Sequence, residues 1–207
     1  LYSEALAHPE IDGIIIGTRP DCISSEILDL LEDFSHNYYV AVEYGIETTS
    51  DSILQHVNRG HNFATAIDAV HKTKARGIDV GAHLILGLPH QRHEHIMEDI
   101  AAINTLGIDF VKFHQLQIFR DTAMALEFDE HPDRFRFWTV DAYIDLVVEV
   151  LRRLRPDVVV ERFASEAPPR YHHGPNWGLI RNEELWRRLE ERLRERDTYQ
   201  GELYCPE

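Results

Sequence analysis

Cysteine is almost missing from this sequence: there are two, Cys22 and Cys205. They cannot build a disulfide framework, and the chain reads as one suited to a reducing cytoplasm. Long apolar runs are also lacking. No stretch approaches the roughly 20 apolar residues of a membrane span, and Leu1-Tyr2-Ser3-Glu4 does not read as a signal peptide. Positive charge is scarce, with 21 Lys and Arg against 36 Asp and Glu and a formal net charge of -15. Such a field repels phosphate backbones and disfavours non-specific nucleic-acid binding. The arginines that do cluster, at 152–155 and 187–196, read as solvated helix faces. There is no GxGxxG, no Walker loop and no HExxH, which removes the commonest nucleotide and zinc readings.

What is present is an apolar fraction of 43%, enough for one substantial core. Short β-branched runs alternate with longer helical patterns. The candidate strands are Gly13–Gly17, Tyr39–Tyr44, Val80–Leu86, Phe110–Ile118 and Val158–Phe163. The candidate helices are Ser24–Phe34, Phe63–Arg76, His93–Leu106, Thr139–Leu154 and Asn182–Arg196, the last with Asn182 as its N-cap. Gly77-Ile78-Asp79 and Gly107-Ile108-Asp109 each place a glycine just after a helix, where a left-handed residue is wanted. Strands and helices in alternation with short connections predict a parallel sheet with right-handed crossovers.

Polar residues gather at or beyond the C-terminal ends of the strands. Glu43, Gly45 and Glu47 end the second, Gly87-Leu88-Pro89-His90 follows the third, and His114, Gln115 and Gln117 close the fourth. In a (βα) barrel, and equally in a doubly wound sheet, that is the ligand-binding edge. A complete eight-fold barrel needs ~250 residues. About five βα units are legible here, preceded by a helix over Leu1–His8. The expected architecture is therefore α/β, a partial TIM-like (βα) barrel over residues 1–165. A C-terminal extension, 166–207, supplies a loop and a helix that pack on it. The first residue is not methionine, and the chain is expected to be a piece of a longer protein lacking its first strands.

Three segments carry more than pattern. They are Glu43-Tyr44-Gly45-Ile46-Glu47-Thr48 with Val57-Asn58-Arg59-Gly60-His61 after it, then His83-Leu84-Ile85-Leu86-Gly87-Leu88-Pro89, and Lys112-Phe113-His114-Gln115-Leu116. In this order and spacing they resemble the fourth, fifth and sixth strands of the radical S-adenosylmethionine (SAM) superfamily. The branch is the one containing the elongator-type catalytic subunit and the oxygen-independent coproporphyrinogen oxidases. Gly17–Cys22, Glu161–Glu166 and Asp197–Gly201 resemble an uncharacterised bacterial Fe–S oxidoreductase subgroup of that branch.

The resemblance implies reductive cleavage of SAM at a 4Fe–4S cluster, giving methionine and a 5′-deoxyadenosyl radical. It implies that Glu47, Arg59 and His83 hold the ribose and methionine part. Ile85, Gly87, Pro89 and the strand end His114-Gln115-Leu116 would line the adenine, with Glu43 and Gly45 beside them. The residue types suit this: a carboxylate accepts from hydroxyls or an ammonium group, and a guanidinium fork matches a carboxylate. Two departures stand out. His83, and His90-Gln91 after the proline, replace the residues relatives commonly carry there, and no CxxxCxxC motif occurs. The cluster ligands are expected in the missing N-terminal part, so the chain alone is expected to be inert. The implied partners are a substrate of unknown identity, with tRNA admissible by analogy, and an electron donor such as a flavodoxin or ferredoxin. No membrane is involved, and an open sheet edge would favour self-association.

Simpler readings stand beside these. Glu43 and Glu47 would serve as solvated carboxylates, Arg59 as the partner of Asp51 or Glu47, and Cys22 as a small apolar filler. The 13 histidines, among them His90, His93, His95, His172 and His173, permit a metal-dependent hydrolase on a βα barrel. A non-catalytic binding module is the third class. Residues 167–177 form a candidate lid.

Overall fold

The computed structural model describes residues 2–206. In chain order the elements are α1 (Tyr2–Leu6), β1 (Gly13–Thr18), α2 (Ser25–Ser35), β2 (Tyr39–Glu47), α3 (Asp51–His56) and α4 (Phe63–Lys74). There follow β3 (Asp79–Leu86), α5 (His93–Thr105), β4 (Phe110–Gln115), α6 (Ala123–Glu130), α7 (Val140–Arg153), β5 (Val159–Arg162) and α8 (Asn182–Glu195). The five strands form one sheet in the order β1-β2-β3-β4-β5, every neighbouring pair parallel. This is the expected partial barrel: strands laid side by side in chain order, each crossover carrying at least one helix.

The helices start where short polar side chains cap them. Ser24, Asn62, Thr122 and Thr139 each accept a hydrogen bond from the backbone N–H three residues on. Gly107 sits at φ 71 just past Leu106, the C-cap of α5, the left-handed position that ends a helix and returns the chain to the sheet. Asn182 does not cap α8; Arg181 holds that position, and the Asn182 N–H donates instead to Glu166 Oε1. Of the helix expected over Leu1–His8, Tyr2–Leu6 forms, and Leu1 lies outside the described residues. The short helices α3 and α6 carry too few residues for periodicity to announce them.

Period-two alternation gives the sheet two unlike faces. Val40, Val42, Tyr44 and Ile46 of β2 point to the helices, with Val80, Ala82, Leu84 and Leu86 of β3 and Val111 and Phe113 of β4. They merge with α4, α5 and α7 into one apolar core, which Leu185 and Leu189 of α8 join. Two buried tyrosines on the helix side find partners: Tyr44 OH lies 2.7 Å from Thr73 Oγ1, and Tyr143 OH donates to Phe163 O at 2.6 Å. The opposite face carries Ala41, Glu43, Gly45 and Glu47 of β2, Gly81, His83 and Ile85 of β3, and Phe110, Lys112 and His114 of β4. No helix among the described residues is long and apolar enough to cross a membrane.

The expected fourth strand ends early, at Gln115 rather than Ile118. The Leu116 N–H still donates to Leu86 O, but Leu116 and Ile118 then turn into a second apolar cluster with Ile53, Leu88 and Ala125. Gln115 and Gln117 bond to the Ser165 backbone instead of extending a ladder.

Gly81 gives a direct test of packing on the inner face. A Cβ there would stand 2.2 Å from the Phe110 ring, whereas one at Gly17 would meet nothing within 4 Å. Gly81→Ala is expected to cost about 1–3 kcal/mol in urea unfolding. A loss no larger than that of Gly17→Ala would show that Phe110 yields freely.

Candidate functional site

Glu43 lies mid-strand on the inner face with 6% exposure. A buried carboxylate must be paired, and its neighbours across the sheet do so. His83 Nε2 donates to Glu43 Oε2 at 2.7 Å, and Lys112 Nζ donates to Glu43 Oε1. Lys112 also reaches Glu161 of β5 at 3.2 Å. Burial alone would raise the Glu43 carboxyl, but the bonds from Lys112 and His83 hold it below the usual carboxylate range. Glu43 is therefore not the solvated carboxylate of the simpler reading.

His114 completes this group. Its ring centroid stands 5.3 Å from that of His83, and its Nδ1 is hydrogen-bonded to Ser165 Oγ. Its Nε2 is buried with no partner. Burial, reinforced by the positive surroundings of His83, Arg162 and Lys112, pushes its pKa down to about 4. A neutral imidazole with one free nitrogen thus faces the same side as Glu43 and His83.

A second group forms one turn further along β2. The register against β3 shifts between Gly45 and Glu47, a bulge at the strand end. Glu47 adopts φ 68 there. Its Oε1 meets Arg59 Nη2 at 2.6 Å, and the same guanidinium donates to Gly45 O at 3.1 Å. A Cβ on Gly45 would stand 2.2 Å from Arg59 Nη2 and 2.7 Å from Glu47 Oε1, so glycine is required for the pair to close over the strand. Of the two partners open to Arg59, Glu47 is the one chosen; Asp51 instead accepts from the Phe63 N–H. Burial pushes the Glu47 carboxyl up, and the Arg59 charge opposes this without overcoming it. Arg59 Nε is buried and unpartnered.

The remaining candidates are placed differently. Gly87, at φ 97, accommodates Trp138: a Cβ would lie 2.6 Å from that indole, so the close approach here is by the protein itself. Pro89 is buried in the following turn. Ile85 and Leu116 contribute to the second apolar cluster. Gln115 and Leu116 border a cavity of about 310 Å³ walled by Trp138, Trp177 and His172, which brings part of the 167–177 segment over the tip of β4. Cys22 is exposed, not a buried filler.

A buried network ties the two loops together. Asp99 of α5 accepts from Thr48 Oγ1, Thr49 N–H, Thr49 Oγ1 and Gln91 Nε2, and Gln91 Oε1 accepts from the Gly87 and Leu88 N–H groups. Sequence reasoning missed Lys112, Ser165, Gln91 and Asp99 as site residues. Signals existed for three: two-residue alternation puts Lys112 on the His114 face, Ser165 lies among the polar residues past the fifth strand, and Gln91 stands out after the proline.

The free imidazole of His114 fixes a pH dependence. Its folded pKa, about 4, lies below the ordinary 6.5, so between these values the unfolded chain binds more protons. Stability from this group is complete above pH 6.5 and is lost as pH falls toward 4, by at most about 3 kcal/mol. In unfolding measured across that window, the advantage of the native chain over His114→Asn is expected to shrink on acidification. Parallel profiles would remove this assignment.

Comparison with known proteins agrees with this arrangement. Residues 2–103 match the family described as Radical SAM superfamily, and residues 108–195 match the Radical_SAM C-terminal domain. An uncharacterized protein of Bacillus subtilis, YtqA, is 30% identical over 203 residues, 98% of this chain and 62% of the relative. The chain thus spans under two thirds of that relative's length. Among solved structures, Elp3 of the archaeon Methanocaldococcus infernus shares the fold, with a TM-score of 0.75 and 20% identity over 91% of this chain and 43% of that one. Streptococcus suis SuiB, solved with S-adenosylmethionine bound, matches at TM-score 0.53 and 12% identity, covering 75% of this chain and 33% of SuiB. Two family matches that between them take in most of the sequence, on a sheet of five parallel strands, place the chain in the radical SAM superfamily.

Proposed function

We propose that this chain supplies the SAM-binding half of a radical SAM enzyme, with the inner-face groups of β2, β3 and β4 as the cradle. The observation that carries this reading is the Glu47–Arg59 pair closed over Gly45, on the same face as His83 and at the C-terminal edge of the sheet. The donor set fits the ligand. Glu47 is a largely buried carboxylate with one cationic partner, and a second donor such as an ammonium group or a ribose hydroxyl would relieve its raised pKa. Arg59 has an unpartnered Nε and suits a ligand carboxylate. His114 Nε2 is a further polar atom without a partner.

The residues present do not fit the 4Fe–4S cluster. Three thiolates are needed, and the chain has two cysteines, one following β1 and one near its last residue. When bound, the cluster would supply the electron that breaks the sulfonium carbon–sulfur bond of SAM. This chain's own residues hold and orient the nucleoside and amino-acid parts. They also exclude water from beneath it through the second apolar cluster. The substrate is left open. The net charge of -15 weighs against an RNA held by this chain alone.

His93 and His95 do not join His90 in a common metal-ligand group among the described residues, so the hydrolase reading built on these three together is not supported. His93 Nε2 bonds Glu149 at 3.2 Å, His95 turns back to the Arg92 N–H, and His173 bonds Asp129 at 2.7 Å.

In the longer protein that carries the cluster, Glu47→Gln and Arg59→Lys are each expected to weaken SAM binding about 10- to 100-fold, the loss of one charge-assisted hydrogen bond. Equilibrium SAM binding measures it, and unchanged affinity in both variants removes the site assignment. The present chain, incubated anaerobically with iron and sulfide, is expected to take up no stoichiometric cluster and to form no 5′-deoxyadenosine from SAM. Stoichiometric uptake with turnover would show that the cluster needs nothing beyond these residues.

A further inference from the structure

At the rim of the sheet three elements converge. His56 ends α3, His90 follows Pro89 in the β3–α5 loop, and Glu127 lies on α6. One nitrogen of each imidazole and one carboxylate oxygen all lie within 4.8 Å of one another. His56 Nε2 donates to Glu127 Oε1 at 2.7 Å, and the His56 and His90 rings meet edge-on with centroids 4.8 Å apart. His90 is held at φ 63, a left-handed conformation uncommon outside glycine and a recurrent mark of functional loops. Its N–H donates to Arg134 O at 2.9 Å, and Arg134 Nη1 donates to Glu127 Oε1 at 3.2 Å, so one residue positions two of the three.

We propose that His56, His90 and Glu127 bind a single divalent transition-metal ion of the zinc and cobalt type. Two imidazoles and a carboxylate suit such ions, whereas magnesium and calcium favour all-oxygen sites. Three protein ligands leave a fourth position for water. Both histidines are exposed, which gives an ion access. At metal–ligand distances of about 2.0–2.2 Å the donor atoms stand about 3.3 Å apart. The group therefore closes by roughly 1.5 Å, within reach of side-chain torsions at surface imidazoles. His56 ligates as the neutral tautomer protonated at Nδ1, so the proton that Nε2 directs at Glu127 passes by way of solvent to Nδ1 as the ion takes the Nε2 lone pair. The Arg134 guanidinium, one-third exposed, swings clear while its carbonyl keeps His90 in position.

The consequence lies in what the ligands are attached to. His56 precedes Arg59 by three residues, and His90 follows Gly87 by three. A bound ion would fasten the β2 and β3 loops to α6, clamping the mouth of the sheet from outside. The site uses no thiolate and does not depend on the SAM reading, and its test needs neither SAM nor a cluster.

Zinc ion titrated calorimetrically into the full chain is expected to bind at one equivalent and to raise the unfolding temperature. Cobalt ion is expected to give the intense visible absorption of a four-coordinate site. His56→Ala, His90→Asn and Glu127→Ala are each expected to weaken zinc binding by at least about tenfold; asparagine is chosen at 90 because it tolerates the left-handed backbone. His93→Ala and His95→Ala are expected to leave it unchanged. Absence of one-equivalent binding overturns the proposal. So does binding that survives the three substitutions, or binding lost instead in the His93 and His95 variants.

Discussion

Asp99 is 1% exposed and has no cationic partner within hydrogen-bond reach among the described residues; dipoles alone satisfy it. Two of its donors, Thr48 and Thr49, directly follow Glu47. A third, Gln91, turns its own carbonyl to the Gly87 and Leu88 N–H groups. One carboxylate on α5 therefore sets where two strand-end loops lie relative to each other. Removing any donor would leave an unsatisfied group in a dry site, a cost of about 1–3 kcal/mol, more for a charge. Burial pushes the Asp99 carboxyl up, and the converging donors oppose that. The mouth of the sheet holds its shape because these bonds are made together.

Above that tie, the sheet divides its chemistry by parity. The helix-facing residues of β2 and β3 are apolar without exception from Val40 to Leu86, and they make the core. The alternate positions carry the polar groups, Glu43, Glu47, His83, Lys112 and His114, interspersed with small or packed residues such as Gly45, Gly81 and Phe110. Such residues are tolerated on a half-buried face because they satisfy one another, as Lys112, Glu43 and His83 do in a row across three strands. The row also has a local electrostatic sense. Lys112 and Arg59 each sit against a carboxylate, Glu43 and Glu47, so cation and anion are matched along the inner face of a chain whose net charge is -15.

That division explains what could be seen in the residues alone. Strand and helix alternation, the parallel sheet and the C-terminal location of the polar groups follow from periodicity and from the glycines after helices, which are local properties. Glu43, Glu47, Arg59, His83 and His114 were singled out because strand-end polar residues in a fixed order resemble a family. Their pairings were not legible, since Glu43–Lys112 and Asp99–Thr48 join positions dozens of residues apart. The neighbour of Gly87 was not legible for the same reason: nothing local says that Trp138, far along the chain, lies beside it. The fourth strand was drawn too long because Leu116 and Ile118 keep a strand-like alternation while packing into a separate cluster.

The distribution of backbone strain follows the same logic. Among the described residues five non-glycine positions have positive φ, and three of them, Glu47, Asn58 and His90, lie in the two loops that Asp99 and Gln91 hold. Each costs of order 1–3 kcal/mol unless its surroundings fix it. At Glu47 the fixing contacts are Arg59 and the Thr48–Thr49 bonds to Asp99; at His90 they are Arg134 O and the Gln91 N–H to Leu88 O. The strain thus sits beside the network best able to hold it, and at Glu47 and His90 it falls on residues whose side chains carry charge or a metal-ligand type. A loop needed only to reverse direction would use glycine at these points, as the chain does at Gly77 and Gly107. Glutamate and histidine in left-handed backbone are retained where the side chain has work that glycine cannot do.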